Sequence, residues 1–186
     1  TGAGSTCGGS VTLTTAAADD DRAIITGSLN FYASKNPKME ARVMVDRITL
    51  ASFGVGFTDA TTEGDNVQPF SVSGATVVDT ADNGAAIVFD TDATTDYFWV
   101  VNSKATTGGG NILGSTYAPA ADTYITLGVE IDTTGAADYY INGVVVGHKA
   151  AALTTTTPLC PYISVINRAG GALILTADYI KVWQDR

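Results

Sequence analysis

Residues 124–148 read YITLGVEIDTTGAADYYINGVVVGH, and the fold class follows from this stretch. Ile125, Leu127, Val129 and Ile131 alternate with Tyr124, Thr126, Gly128, Glu130 and Asp132, the period of a strand with one buried face. Thr133-Thr134-Gly135-Ala136 supplies a turn, and Asp138 to Ile141 a second strand. Asn142-Gly143 is the dipeptide favoured by two-residue hairpins, and Val144 to His148 is a third strand. Three consecutive strands joined by short turns form an antiparallel meander.

The same periodicity extends outward. Strands are predicted at 39–46, at 52–58, where Phe53, Val55 and Phe57 face one way and Gly54 and Gly56 the other, and at 85–91 after an Asp82-Asn83-Gly84 turn. Further strands fall at 96–102, 162–168 and 172–184, and the shorter Val11–Thr14 and Arg22–Ile25 read as edge strands around a loop, Ala16 to Asp21. Leu50 to Phe53 reads as core, and residues 104–120 and 150–161 read as loop or poor strand. No helical period interrupts the pattern, and composition agrees: 27 threonines and 20 glycines stand against three glutamates and two glutamines. Antiparallel strands that each bury one face settle as a two-sheet sandwich or a barrel; the expectation is an all-β, two-sheet antiparallel sandwich, one domain over 1–186 with 1–21 its least defined segment.

Charge narrows the function classes. Lys+Arg 10 against Asp+Glu 19 gives a net charge of -9, which repels nucleic-acid phosphates and anionic membrane surfaces. The apolar runs, such as Ala85 to Phe89 and Gly143 to Gly147, fall far below the roughly 20 residues that span a bilayer. Neither nucleic acid nor membrane insertion is expected. The sequence starts at Thr1 without a methionine, so a removed leader is compatible with it. Cys7 and Cys160 are too few for a disulfide scaffold and lack metal-ligand spacing. They are either two small buried hydrophobes or a pair whose closed loop would contribute roughly 4 to 5 kcal/mol.

The order of features resembles a known superfamily. An alternating strand, ADYYINGVVVG at 137–147 and a last strand TADYIKVWQDR at 176–186 resemble the concanavalin A-like lectin and glucanase superfamily, including its laminin-G-like branch. More narrowly, PAADTYITLGVEIDTTGAADYYINGVVVG with that ending is similar to jelly-roll domains of tailed-bacteriophage virion proteins. The resemblance implies a jelly roll of two curved sheets, and it specifies fold more firmly than activity. It also implies a structural calcium ion as the one cofactor to look for, with Asp178 as a metal ligand beside groups near the N-terminus, of which Asp19-Asp20-Asp21 is the nearest acidic supply.

Candidate chemistry is sparse. Glu130-Ile131-Asp132 begins like the glucanase Glu-x-Asp-x-x-Glu pattern, in which two carboxyls flank the sugar bond, but Gly135 stands where the third carboxylate belongs. Glu40 or Glu63 could supply a partner only from another strand, so no catalytic residue and no enzyme activity is expected. His148, the single histidine, has no Gly-x-Ser-x-Gly elbow to serve and reads as the surface end of a strand. Carbohydrate binding would use Tyr97, Trp99 and Asn102, with Tyr139 or Tyr140, although aromatics alternating with Phe98 and Val100 also suit ordinary core and outer-face packing.

With no completed active site in the sequence, the resemblance implies a non-enzymatic phage virion module: a capsid decoration or cement, or a tail or head-fibre domain, that stabilises the particle or mediates surface adhesion. Its partners would be the major capsid protein or tail components, and it would be assembled in the bacterial cytoplasm and displayed on the virion. A homo-oligomer is expected, most naturally a trimer, through apolar surface beside Tyr139, Tyr179 and Trp183. The alternatives are a secreted or extracellular carbohydrate-binding domain recognising a cell-surface glycan and, third, a glucanase-like hydrolase.

Overall fold

The computed structural model describes residues 9–60 and 68–186. Fourteen strands make two six-stranded antiparallel sheets and one hairpin. Sheet 1 has the order β1 (Val11–Thr14), β14 (Ile174–Trp183), β3 (Lys38–Val45), β10 (Ile125–Ile131), β11 (Ala137–Ile141), β12 (Val144–Lys149). Sheet 2 has the order β2 (Arg22–Thr26), β13 (Cys160–Asn167), β4 (Ala51–Thr58), β7 (Asn83–Asp90), β8 (Phe98–Lys104), β9 (Thr107–Ile112). The hairpin is β5 (Phe70–Ser73) with β6 (Thr76–Asp79). The sandwich expectation is met, the meander β10-β11-β12 is continuous, and Val11–Thr14 and Arg22–Thr26 are edge strands, one on each sheet.

Alternation builds the core between the sheets. Leu127, Val129 and Ile131 of β10 meet Phe53, Val55 and Phe57 of β4 and Ile87 and Phe89 of β7. Phe53, Phe89 and Phe98 pack ring on ring, with centroids 5.5 to 6.0 Å apart. Of the residues expected inside, Ile125 and Val182 are half-buried and Ile180 is exposed. The reason is the short edge: β1 pairs with β14 only from Ile174 to Ala177, so nothing in β1 flanks the rest of β14. A bulge between Ala177 and Tyr179 also resets the parity, turning Tyr179, Lys181 and Trp183 outward. Leu50 is a second correction: at φ 52° it sits in the turn before β4 with its side chain exposed, while Ala51 to Phe53 are buried.

The middle of sheet 2 is buried on both faces. β4, β7 and β13 carry no exposed residue at all. Their outer side chains, Ala86, Val88 and Tyr162, join Trp99 and Val101 of β8 beneath Phe70 and Val72 of the hairpin in a second apolar cluster. Periodicity gives no sign of this layer: β5 and β6 leave no pattern in the sequence, and β9 lies inside the segment 104–120, which reads as loop or poor strand. β9 reads Thr-Gly-Gly-Gly-Asn-Ile and shows no alternation because its glycines make room for β6. A Cβ on Gly110 would stand 2.7 Å from Val77, and one on Gly108 would stand 2.6 Å from the Asp79 carboxylate.

Arg168, just after β13, fastens the layers. Its side chain is 10% exposed and grips Asp90, 0% exposed, through Nε (3.0 Å) and Nη2 (2.6 Å), while Nη1 reaches Asp20 at 2.6 Å. Asp90 also accepts from the Val72 amide of the hairpin and from the Asp92 amide. Burial opposes the charge on Arg168, but the hydrogen bonds and charge of Asp90 outweigh it and hold the guanidinium protonated.

Candidate functional site

The open surface is the outer face of sheet 1. Register places Lys181, Glu40, Gly128 and Tyr140 in one row across β14, β3, β10 and β11. The next row reads Trp183, Lys38, Glu130, Asp138 and His148. With only hydrogen at Gly128, the first row has a gap between Glu40 and Tyr140. The gap opens into a groove of about 230 Å³ bounded by Glu40, Glu130, Tyr140 and Trp183.

Each carboxylate in the groove has a lysine and a tyrosine. Glu130 Oε2 accepts from Lys38 Nζ at 3.1 Å and from the Tyr140 hydroxyl at 3.3 Å. Glu40 Oε1 accepts from the Tyr179 hydroxyl at 2.8 Å, with Lys181 Nζ at 3.5 Å and also 4.5 Å above the Tyr179 ring. Burial, then the charges of Glu130 and Asp138, raise the Tyr140 pKa, so its hydroxyl stays a donor. Arg42 stacks 4.2 Å over Tyr124 and binds Asp178 at 2.6 Å. Trp183 is 46% exposed at the rim. Open carboxylate oxygens, phenol hydroxyls and an exposed indole are the chemistry that holds a polyhydroxyl ligand.

The residues singled out from sequence are scattered. Tyr140 lines the groove, and Trp183 and Tyr179 stand on its β14 side. Tyr139 points the other way, is 1% exposed and donates to the Val101 carbonyl at 3.0 Å, so neither a glycan nor a partner copy reaches it. Trp99 lies under the hairpin and Tyr97 is half-buried just before β8. Asn102 faces the interior and donates to the Ala152 carbonyl at 2.9 Å. These three form no joint surface with Tyr140. Asp178, the proposed metal ligand, occupies the β14 bulge as the partner of Arg42, and Asp20 is held by Arg168. Among the described residues no group of three His, Cys, Asp or Glu side chains is placed to hold a metal ion.

Asp132 is spent in its turn, where Oδ1 accepts from the Thr134 amide and hydroxyl and the Ala136 amide. His148 ends β12 at the surface and pairs with Asp138 at 2.7 Å. Cys160 is a buried thiol whose pKa burial raises to about 11, while Cys7 and Glu63 lie outside the described residues. What the sequence did not reveal is Lys38, Glu40 and Gly128 as neighbours of Glu130 and Tyr140. Their outward parity is readable, but the pairing of β3 with β10 joins segments about 90 residues apart and leaves no local signal.

No protein-family model matches the sequence, and no curated protein matches it. Solved structures do. The alginate lyase AlyC3 superposes with a TM-score of 0.66 at 8% identity, over 95% of this chain and 75% of that one. The catalytic domain of an endo-1,3-beta-glucanase (laminarinase) from Thermotoga petrophila RKU-1 gives 0.60 at 12% identity, over 96% and 78%. The Emp46p carbohydrate recognition domain gives 0.64 at 12% identity, over 93% and 82%. At these identities the likeness is one of architecture, and the fold is the concanavalin A-like jelly-roll sandwich shared by glucanases, a lyase and a lectin domain.

Proposed function

We propose that the chain is a non-enzymatic adhesion module of a virion surface that holds glycan on the outer face of sheet 1. The groove over Gly128 carries this reading, because among the two outer sheet faces it is the open one and it combines carboxylates, phenols and an exposed indole. The lack of catalysis is supported by Gly135 at the missing carboxylate position and by the lysine and tyrosine already bound to each of Glu130 and Glu40. The virion setting rests on the sequence resemblance over residues 120–186. The purified chain is expected to be retained by polysaccharide, to release no reducing ends from β-glucan, and to be labelled by antibody on intact particles. Turnover abolished by Glu130→Gln with unchanged thermal melting would make it a hydrolase, and absence from particles would remove the virion setting.

A second reading, docking on capsid or tail proteins with self-association as a trimer, has one observation in its favour. Ile25, Pro161, Ile180 and Val182 line an apolar cleft of about 220 Å³ where the edges of β2 and β14 leave the sandwich open. Light scattering at high concentration discriminates: a strict monomer leaves adhesion ahead.

A further inference from the structure

We propose that the sheet 1 groove selects uncharged glycan chains over acidic ones, with Gly128 as the residue that admits the chain; this rests on the glycan-binding reading above. Lys38 is committed to Glu130, Lys181 to Glu40 and Arg42 to Asp178. A sugar carboxylate would have to share one of these cations with the carboxylate already paired to it, and so lie beside a like charge. The charge of the whole chain, -9, adds to that repulsion.

An uncharged sugar makes the opposite demand. Its hydroxyls donate, and the groove offers acceptors: Glu130 Oε1 and Glu40 Oε2 accept no hydrogen bond among the described residues. Hydrogen bonds to ionised carboxylates are the strong kind. Sugar C–H faces can lie on the Trp183 and Tyr140 rings. These two sit on strands three spacings apart, roughly 14 Å, which suits an oligosaccharide segment rather than a single ring.

Gly128 sets the depth. A Cβ there would stand 3.3 Å from the Met39 carbonyl and 3.5 Å from the Tyr140 Cβ, so a methyl group is close to fitting, while a longer side chain projects between Glu40 and Tyr140. The backbone at Gly128 is regular strand, so the missing side chain serves the surface rather than the chain path.

Affinity electrophoresis of the full chain tests this, with laminarin and dextran as neutral probes and alginate and hyaluronan as acidic ones at one ionic strength. Retardation by a neutral probe and none by the acidic pair is expected. Gly128→Leu and Glu130→Gln should each weaken it at least tenfold with unchanged melting temperature, and Trp183→Ala serves where Gly128→Leu fails to fold. Alginate binding as strong as neutral binding overturns the selectivity while glycan binding stands. Retardation by none of the four overturns both. Neutral binding that survives Gly128→Leu and Trp183→Ala removes it from this groove.

Discussion

The outer faces of the two sheets start from similar material and end in opposite states. Each presents aromatic side chains, glycines and hydroxyl groups on adjacent strands. Over sheet 2 the hairpin β5-β6 closes on Trp99, Val88 and Tyr162 and turns them into a second core. Over sheet 1 no described element lies on Tyr140, Glu40 and Glu130, and they keep lysines, phenols and solvent for company. Exposed aromatic chemistry is therefore a property of what the chain lays over a sheet, not of the strand that carries the ring.

The two faces should differ most at the Arg168 clamp. Arg168→Met should cost about 3 to 5 kcal/mol, because Asp90 would be left buried without a counter-charge, and urea unfolding should show the midpoint fall. Replacing Asp90 by Asn in the same chain should recover part of the loss. The two tryptophans come next: Trp99→Ala should destabilise by about 3 kcal/mol through the cavity it leaves, whereas Trp183→Ala should stay within about 0.5 kcal/mol and act on binding alone. Equal losses at both would mean that sheet 1 is covered as well.

Smaller effects sharpen the contrast. Under the hairpin the Tyr162 hydroxyl, the Trp99 Nε1, the Gln68 amide and the Ser52 and Ser164 hydroxyls have no hydrogen-bond partner among the described residues. Tyr162→Phe should therefore leave stability unchanged or raise it by up to about 1 kcal/mol, since it removes a buried group without orphaning another. Last is Asp132, on the sheet 1 side. Its pKa is lowered, first by the Thr134 hydroxyl; burial comes next and opposes it, and the Ala136, Thr134 and Gly135 amides lower it further. The stabilisation is full above the unfolded pKa and fades as pH falls through the folded one. Asp132→Asn should thus melt a few degrees lower at neutral pH, with the gap closing below about pH 4.

The legible part of the molecule was whatever alternation could express. Ile125 to Ile131 buries one face, Phe53, Val55 and Phe57 alternate with glycines, and the Asn142-Gly143 hairpin turns tightly, so each has a local pattern. Glycine-rich β9 and the short β5 and β6 have none, because what fixes them is the fit of Gly108 and Gly110 against β6. The site was legible by half. Tyr140, Tyr179 and Trp183 stood out as aromatics, but Tyr139 and Tyr140 are adjacent and identical in type, and strand parity alone sends one to the core and the other to the groove. Asp178 drew attention through the resemblance, and Arg42, its actual partner 136 residues away, could not be inferred from it.

The order of strands in sheet 1 also has a bearing on time. β14 lies between β1 and β3, and β3 carries Lys38, Glu40 and Arg42. While the chain is being synthesised, that slot stands empty until residues 174–183 have been made, with one edge of β3 and the edge of β1 unpaired in the meantime. Pairings of this range are slow, on the millisecond-to-second scale, and unpaired edges invite association with other chains. The groove therefore comes into being late, and the exposure of these two edges to misassembly ends with the insertion of β14.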